Sequence, residues 1–130
     1  MKITILGAGA YALALTHIIN KNNNDITIWT KFEKEKEELE INRTNEEKLP
    51  NYKLPKNIKI TNNLEESIKN KDLVLIAIPT NSLEEVIKNI KTISKKTHIC
   101  LATKGIQQKT NKLPSNILTK YIHTKKYGII

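Results

Sequence analysis

The pattern Gly7-x-Gly9-x-x-Ala12, set between Ile3-Thr4-Ile5-Leu6 and an apolar stretch over residues 11–19, constrains this chain more than any other feature. The first segment is short, apolar and β-branched, which suits a strand, and the second spaces its apolar residues at helical intervals. Only a tight turn fits between them. Gly7 permits that turn, Gly9 lets the backbone approach a pyrophosphate, and Ala12 is small enough for close packing of helix on strand. A pyrophosphate there would rest on the helix N-terminus, where free backbone N–H groups and the helix dipole favour an anion. The pattern therefore predicts dinucleotide binding at the start of a β-α-β unit.

The rest of the chain continues the alternation. After an asparagine-rich break, Ile26-Thr27-Ile28-Trp29 restores a strand pattern. Residues 31–48, rich in Lys and Glu at i,i+4 spacing, read as a solvated helix anchored by Phe32 and Leu39. Leu49-Pro50 and Leu54-Pro55 bracket a loop, since proline fixes its own φ and holds the preceding residue extended. Residues 58–60 and 98–102 are strand candidates, and residues 73–78 are apolar on both faces, as in a central parallel strand. Asn62 with Glu65, and Ser82 with Glu85, each set a capping side chain three residues before an acid and predict two helix starts. Pro114 opens a last helix carrying Ile117, Leu118, Tyr121 and Ile122. This is the order of a single α/β domain, a doubly wound and mainly parallel sheet that holds ligands at the carboxyl ends of its strands. The loops over residues 7–11, 79–81 and 103–106 are therefore expected to carry the site.

The 22 basic and 13 acidic residues give a net charge of +9, which would suit a polyanion. The lysines are scattered, however, Arg43 is the only arginine, and aromatics are 5%, a poor basis for reading or stacking bases. No nucleic-acid partner is expected. The longest apolar run, residues 73–78, falls far short of the roughly 20 residues of a membrane helix, so no membrane span is expected. The opening Met1-Lys2-Ile3 lacks the apolar segment of a secretory signal, which points to the cytoplasm. Cys100, the only cysteine, reads as a small buried hydrophobe, and His17, His98 and His123 lack ligand spacing, so no metal site is expected.

Two lysines bear on the ligand. An acid about 20 residues past the glycines would hold the ribose 2′-hydroxyl of NAD. Here the second strand ends Trp29-Thr30-Lys31, and Lys31 could pair with the 2′-phosphate of NADP, the alternative being a solvent-facing lysine. Lys104, just past the fifth strand candidate, can reach a substrate oxygen or phosphate near the nicotinamide, or is an ordinary surface lysine.

Taken in order, the motifs resemble those of the bacterial-type NAD(P)-dependent glycerol-3-phosphate dehydrogenases. The resemblance lies in residues 1–15, in Ile28-Trp29, in Leu49-Pro50 with Leu54-Pro55, in Ile76-Ala77-Ile78-Pro79-Thr80, and above all in Ala102-Thr103-Lys104-Gly105-Ile106. It implies a Rossmann-like N-terminal NAD(P)-binding domain over residues 1–130. It also implies cofactor contacts from Ala10, Tyr11, Lys31 and Lys104 beside the loop residues Gly7, Gly9 and Ala12, with Trp29 at the same site and Lys104 on the substrate phosphate ester as well. The implied activity is hydride transfer between NAD(P)H, with NADPH favoured, and dihydroxyacetone phosphate or sn-glycerol 3-phosphate, for phospholipid synthesis, with a homodimer in view for full-length members. Ala12, Thr30 and Lys31 depart from the family's usual Gly, Gly and Arg or His, and Thr30 is expected to stiffen the adenosine end of the site. Members of the family are considerably longer. The chain is expected to stop before the helical substrate domain and its catalytic lysine, so no catalytic residue is assigned and the chain alone is expected to be inactive. The alternative reading is a truncated, catalytically inactive dinucleotide-binding module.

Overall fold

The computed structural model describes residues 1–130. Its elements run β1 (Lys2–Leu6), α1 (Ala10–Asn20), β2 (Asp25–Trp29), α2 (Glu33–Ile41), β3 (Lys59–Thr61), α3 (Leu64–Ile68), β4 (Leu73–Ile76), α4 (Thr80–Lys88), β5 (His98–Leu101), α5 (Pro114–Tyr121) and β6 (Tyr127–Ile129). The six strands form one sheet in the order β3-β2-β1-β4-β5-β6, parallel throughout. The order reverses between β1 and β4, the topological switch of a Rossmann-type sheet.

Strand periodicity divides the interior in two. Ile3, Ile5, Ile26 and Ile28 turn to one face and pack with Leu13 of α1 and Leu39 of α2. Leu6, Val74, Ile76 and Leu101 turn to the other and pack with Ile68, Leu83, Ile87 and Ile117 from α3, α4 and α5. Both faces are covered, which is why β4 carries no polar residue. Each of the fully buried Leu and Ile side chains contributes roughly 1.5–3 kcal/mol by leaving water.

Several sequence expectations shift. The helix expected over residues 31–48 ends at Ile41, because Arg43 adopts φ +60° and its guanidinium donates to the carbonyls of Pro55 at 2.5 Å and Ile58 at 2.8 Å. Leu39 is its buried anchor, and Phe32 stays exposed. The cap of α3 is Asn63, whose side chain accepts from the Glu66 N–H at 3.1 Å, rather than Asn62. Ser82 lies inside the first turn of α4, which starts after Pro79 without a side-chain cap. Cys100 is half-buried, and desolvation pushes its thiol up from the ordinary value. A sixth strand, β6, extends the sheet beyond β5. No helix is long and apolar enough to cross a membrane.

Candidate functional site

At the reversal the carboxyl ends of β1, β2, β4 and β5 frame a cleft of about 700 Å³. That volume suits a small ligand or cofactor. The two glycines of its floor do different things. Gly7 sits at φ +121°, and a β-carbon there would lie 2.4 Å from the Ala77 carbonyl oxygen, so the turn accepts glycine alone. Its N–H donates to the Trp29 carbonyl at 2.8 Å, keeping the loop in line with the sheet. Gly9 has φ −72° and ψ 174°, ordinary extended backbone, and a β-carbon there would meet nothing within 4 Å. Nothing in the protein demands glycine at this position, and a side chain would fill space that otherwise opens over the start of α1.

The start of α1 is ready for an anion. It has no side-chain cap and no acid in its first turn. Leu13 is the first residue whose N–H bonds into the helix, to the Gly9 carbonyl at 3.0 Å, which leaves the N–H groups of Ala10, Tyr11 and Ala12 unused by the helix. Free N–H groups at the positive end of a helix form an anion cradle.

Buried polar residues hold that loop in shape. Asn45 is almost fully buried, and its amide donates to the Ala8 carbonyl at 3.1 Å and to Glu35 Oε1 at 2.9 Å. The hydroxyl of buried Thr30 donates to the same Glu35 carboxylate and accepts from the Phe32 N–H at 3.3 Å, tying the end of β2 to α2. Sequence reasoning missed Glu35 and Asn45. The available signal was a neutral amide in a run of charged residues.

On the far wall, the Thr103 hydroxyl donates to the Ile78 carbonyl at 2.9 Å, and the Thr80 hydroxyl donates to the Lys104 carbonyl at 2.5 Å. Gly105, at φ +94°, turns the chain away. Lys104 Nζ thereby stands 5.0 Å from the ring centre of Tyr11, so the loops after β1 and β5 meet across the cleft through a cation and an aromatic face. Lys31 Nζ lies 2.7 Å from Glu85 Oε1 on α4, and this pairing holds the Glu85 carboxyl below its usual range.

All eight residues expected from the sequence, Gly7, Gly9, Ala10, Tyr11, Ala12, Trp29, Lys31 and Lys104, line this cleft. Two of them are committed to packing as well. Ala12 is fully buried, and Trp29 sits in the core with its Nε1 donating to the Asn62 carbonyl at 3.0 Å. Lys48 also lines the cleft, where the sequence placed only the end of a solvated helix.

The profile of the family described as "NAD-dependent glycerol-3-phosphate dehydrogenase N-terminus" matches residues 2–130. A glycerol-3-phosphate dehydrogenase [NAD(P)+] of Fusobacterium nucleatum is 39% identical over 126 residues, covering 96% of this chain and 38% of that protein. Its counterpart in Leuconostoc mesenteroides is 31% identical over 128 residues, covering 95% of this chain and again 38% of the relative. Among solved structures, a glycerol-3-phosphate dehydrogenase of Coxiella burnetii superposes with a TM-score of 0.87 at 26% identity, over 98% of this chain and 39% of that one. The chain thus spans well under half the length of the proteins it matches. With a Rossmann-type sheet, a glycine loop of the expected geometry and a family profile that runs from residue 2 to residue 130, the chain belongs to the family of NAD-dependent glycerol-3-phosphate dehydrogenase N-terminal domains.

Proposed function

We propose that the cleft binds NAD or NADP, with the pyrophosphate on the N-terminus of α1, and that this chain is the cofactor-binding part of a glycerol-3-phosphate dehydrogenase. The observation that carries the reading is the pairing of three unused N–H groups at Ala10, Tyr11 and Ala12 with the open space over Gly9. Trp29 and Lys31 border the adenosine end, and the positive charge of Lys31 favours NADP. Lys104, held by Thr80 and lying over Tyr11, binds the phosphate ester of the substrate and the nicotinamide side of the cofactor. Once bound, the cofactor supplies or accepts the hydride that interconverts dihydroxyacetone phosphate and sn-glycerol 3-phosphate. In this reading the full-length enzyme is a cytoplasmic homodimer that serves phospholipid synthesis, with family membership as the support.

Lys104 is assigned binding and charge stabilisation rather than proton transfer. The other lysines that line the cleft, Lys31 and Lys48, each have a carboxylate partner, Glu85 and Glu47. A positioned proton donor typically contributes about 10² to 10⁴ in rate. The 130-residue chain is therefore expected to bind NADPH in a calorimetric titration yet to oxidise it at a negligible rate with dihydroxyacetone phosphate. Gly9→Val should abolish the binding. Unchanged affinity in that variant would refute the site, and robust turnover lost in Lys104→Ala would make Lys104 the proton donor.

A further inference from the structure

Lys31 lines the cleft, and Glu85 stands just outside its lining, on the helix that lends Thr80, Ser82 and Val86 to the opposite wall. Lys31 follows the carboxyl end of β2, whereas Glu85 lies in the second turn of α4 beyond β4. Their side chains are 48% and 54% exposed, so the 2.7 Å contact lies in water beside the cleft and is no buried strut. The other cations that line the cleft are elsewhere engaged, Lys48 with Glu47 at 2.5 Å and Lys104 over Tyr11. The cation beside the end of β2 thus already has a carboxylate partner. A ligand with a phosphate at that point must take Lys31 from Glu85 and sit beside a like charge, whereas one with a hydroxyl meets neither cost.

We propose that Glu85 determines specificity from beside the cleft, its carboxylate competing with a 2′-phosphate for Lys31 and so tempering the preference for NADP over NAD. The proposal rests on reading the cleft as a dinucleotide site. Exposed ion pairs add little to stability, so the charge of Glu85 is felt by a charged ligand more than by the fold.

The two partners make the idea testable, because they act on the 2′-phosphate with opposite sign. Calorimetric titrations of wild type, Glu85→Gln and Lys31→Gln with NADPH and with NADH, at low salt, separate the possibilities. Glu85→Gln is expected to tighten NADPH about three- to fivefold, the scale of one exposed charge pair, with little change for NADH. Lys31→Gln should weaken NADPH and spare NADH. Both effects should fade at high salt, where exposed charges are screened. If the bridge only latches α4 to the end of β2, both variants shift both cofactors alike, or shift neither, and the proposal falls while the dinucleotide reading stands. If wild type binds neither cofactor, the dinucleotide reading fails and the proposal falls with it.

Discussion

Gly7 faces Ala77 across the point where the strand order reverses, so closely that a β-carbon on Gly7 would stand 2.4 Å from the Ala77 carbonyl oxygen. This contact joins the loop after β1 to the one after β4, the two loops that bound the cleft floor. Gly7→Ala would add a clash to a backbone held at φ +121° and should cost more than the roughly 1–3 kcal/mol of a strained conformation alone. Gly9→Ala, in open space, should leave the unfolding free energy within about 0.5 kcal/mol of wild type. Denaturant titration of both variants decides, and a Gly7→Ala protein of native stability would contradict the close approach.

Asn45 bridges the Ala8 carbonyl and the Glu35 carboxylate. Removing its amide leaves a buried carbonyl without this donor, at a cost of about 1–3 kcal/mol. Asn45→Ala should therefore lower stability by that amount and weaken NADPH binding by loosening the glycine loop. Loss of stability with unaltered affinity would show that the loop holds its shape without the brace.

Acid should loosen the contact between α4 and α5 through Glu84. The Tyr121 hydroxyl at 2.7 Å and Lys120 Nζ at 3.0 Å hold the Glu84 carboxyl down at about 2, against an ordinary value of 4.5. Because the folded value lies below the unfolded one, the stabilisation is complete above about pH 4.5 and is lost as the pH falls toward about 2. Melting temperatures followed from about pH 6 down to about pH 2.5 should fall less steeply in Glu84→Gln than in wild type. Parallel curves would mean that Glu84 does not couple to folding.

The parts of the fold that the sequence made legible are those whose causes are local. The turn at Gly7 and Gly9 shows itself because a strand, two glycines and a helix follow one another within a few residues. Asn45 stays hidden because its partner Ala8 lies 37 residues earlier, and Glu85 because Lys31 lies 54 residues away. Arg43 ends α2 through carbonyls that arrive only with Pro55 and Ile58. At α3 the text is ambiguous, since Asn62 and Asn63 are each followed three residues later by a glutamate. Tertiary contacts choose between them: the Asn62 carbonyl receives the Trp29 indole and its side chain turns to Glu33, which leaves Asn63 to cap. β6, three residues around a glycine, carries too little pattern to announce a strand.

The division of the interior by the sheet has an energetic consequence. Ile26 belongs to the core under α1 and α2, and Ile117 to the core under α3, α4 and α5. Ile26→Val and Ile117→Val should each cost about 0.5–1.5 kcal/mol. Having no packing partner in common, they should combine additively to within about 0.5 kcal/mol in the double variant, as unfolding free energies can show. The two layers of side chains on either side of the sheet are in this sense energetically independent of each other. A change of side-chain volume under α1 and α2 is thus expected to leave the packing under α3, α4 and α5 as it was.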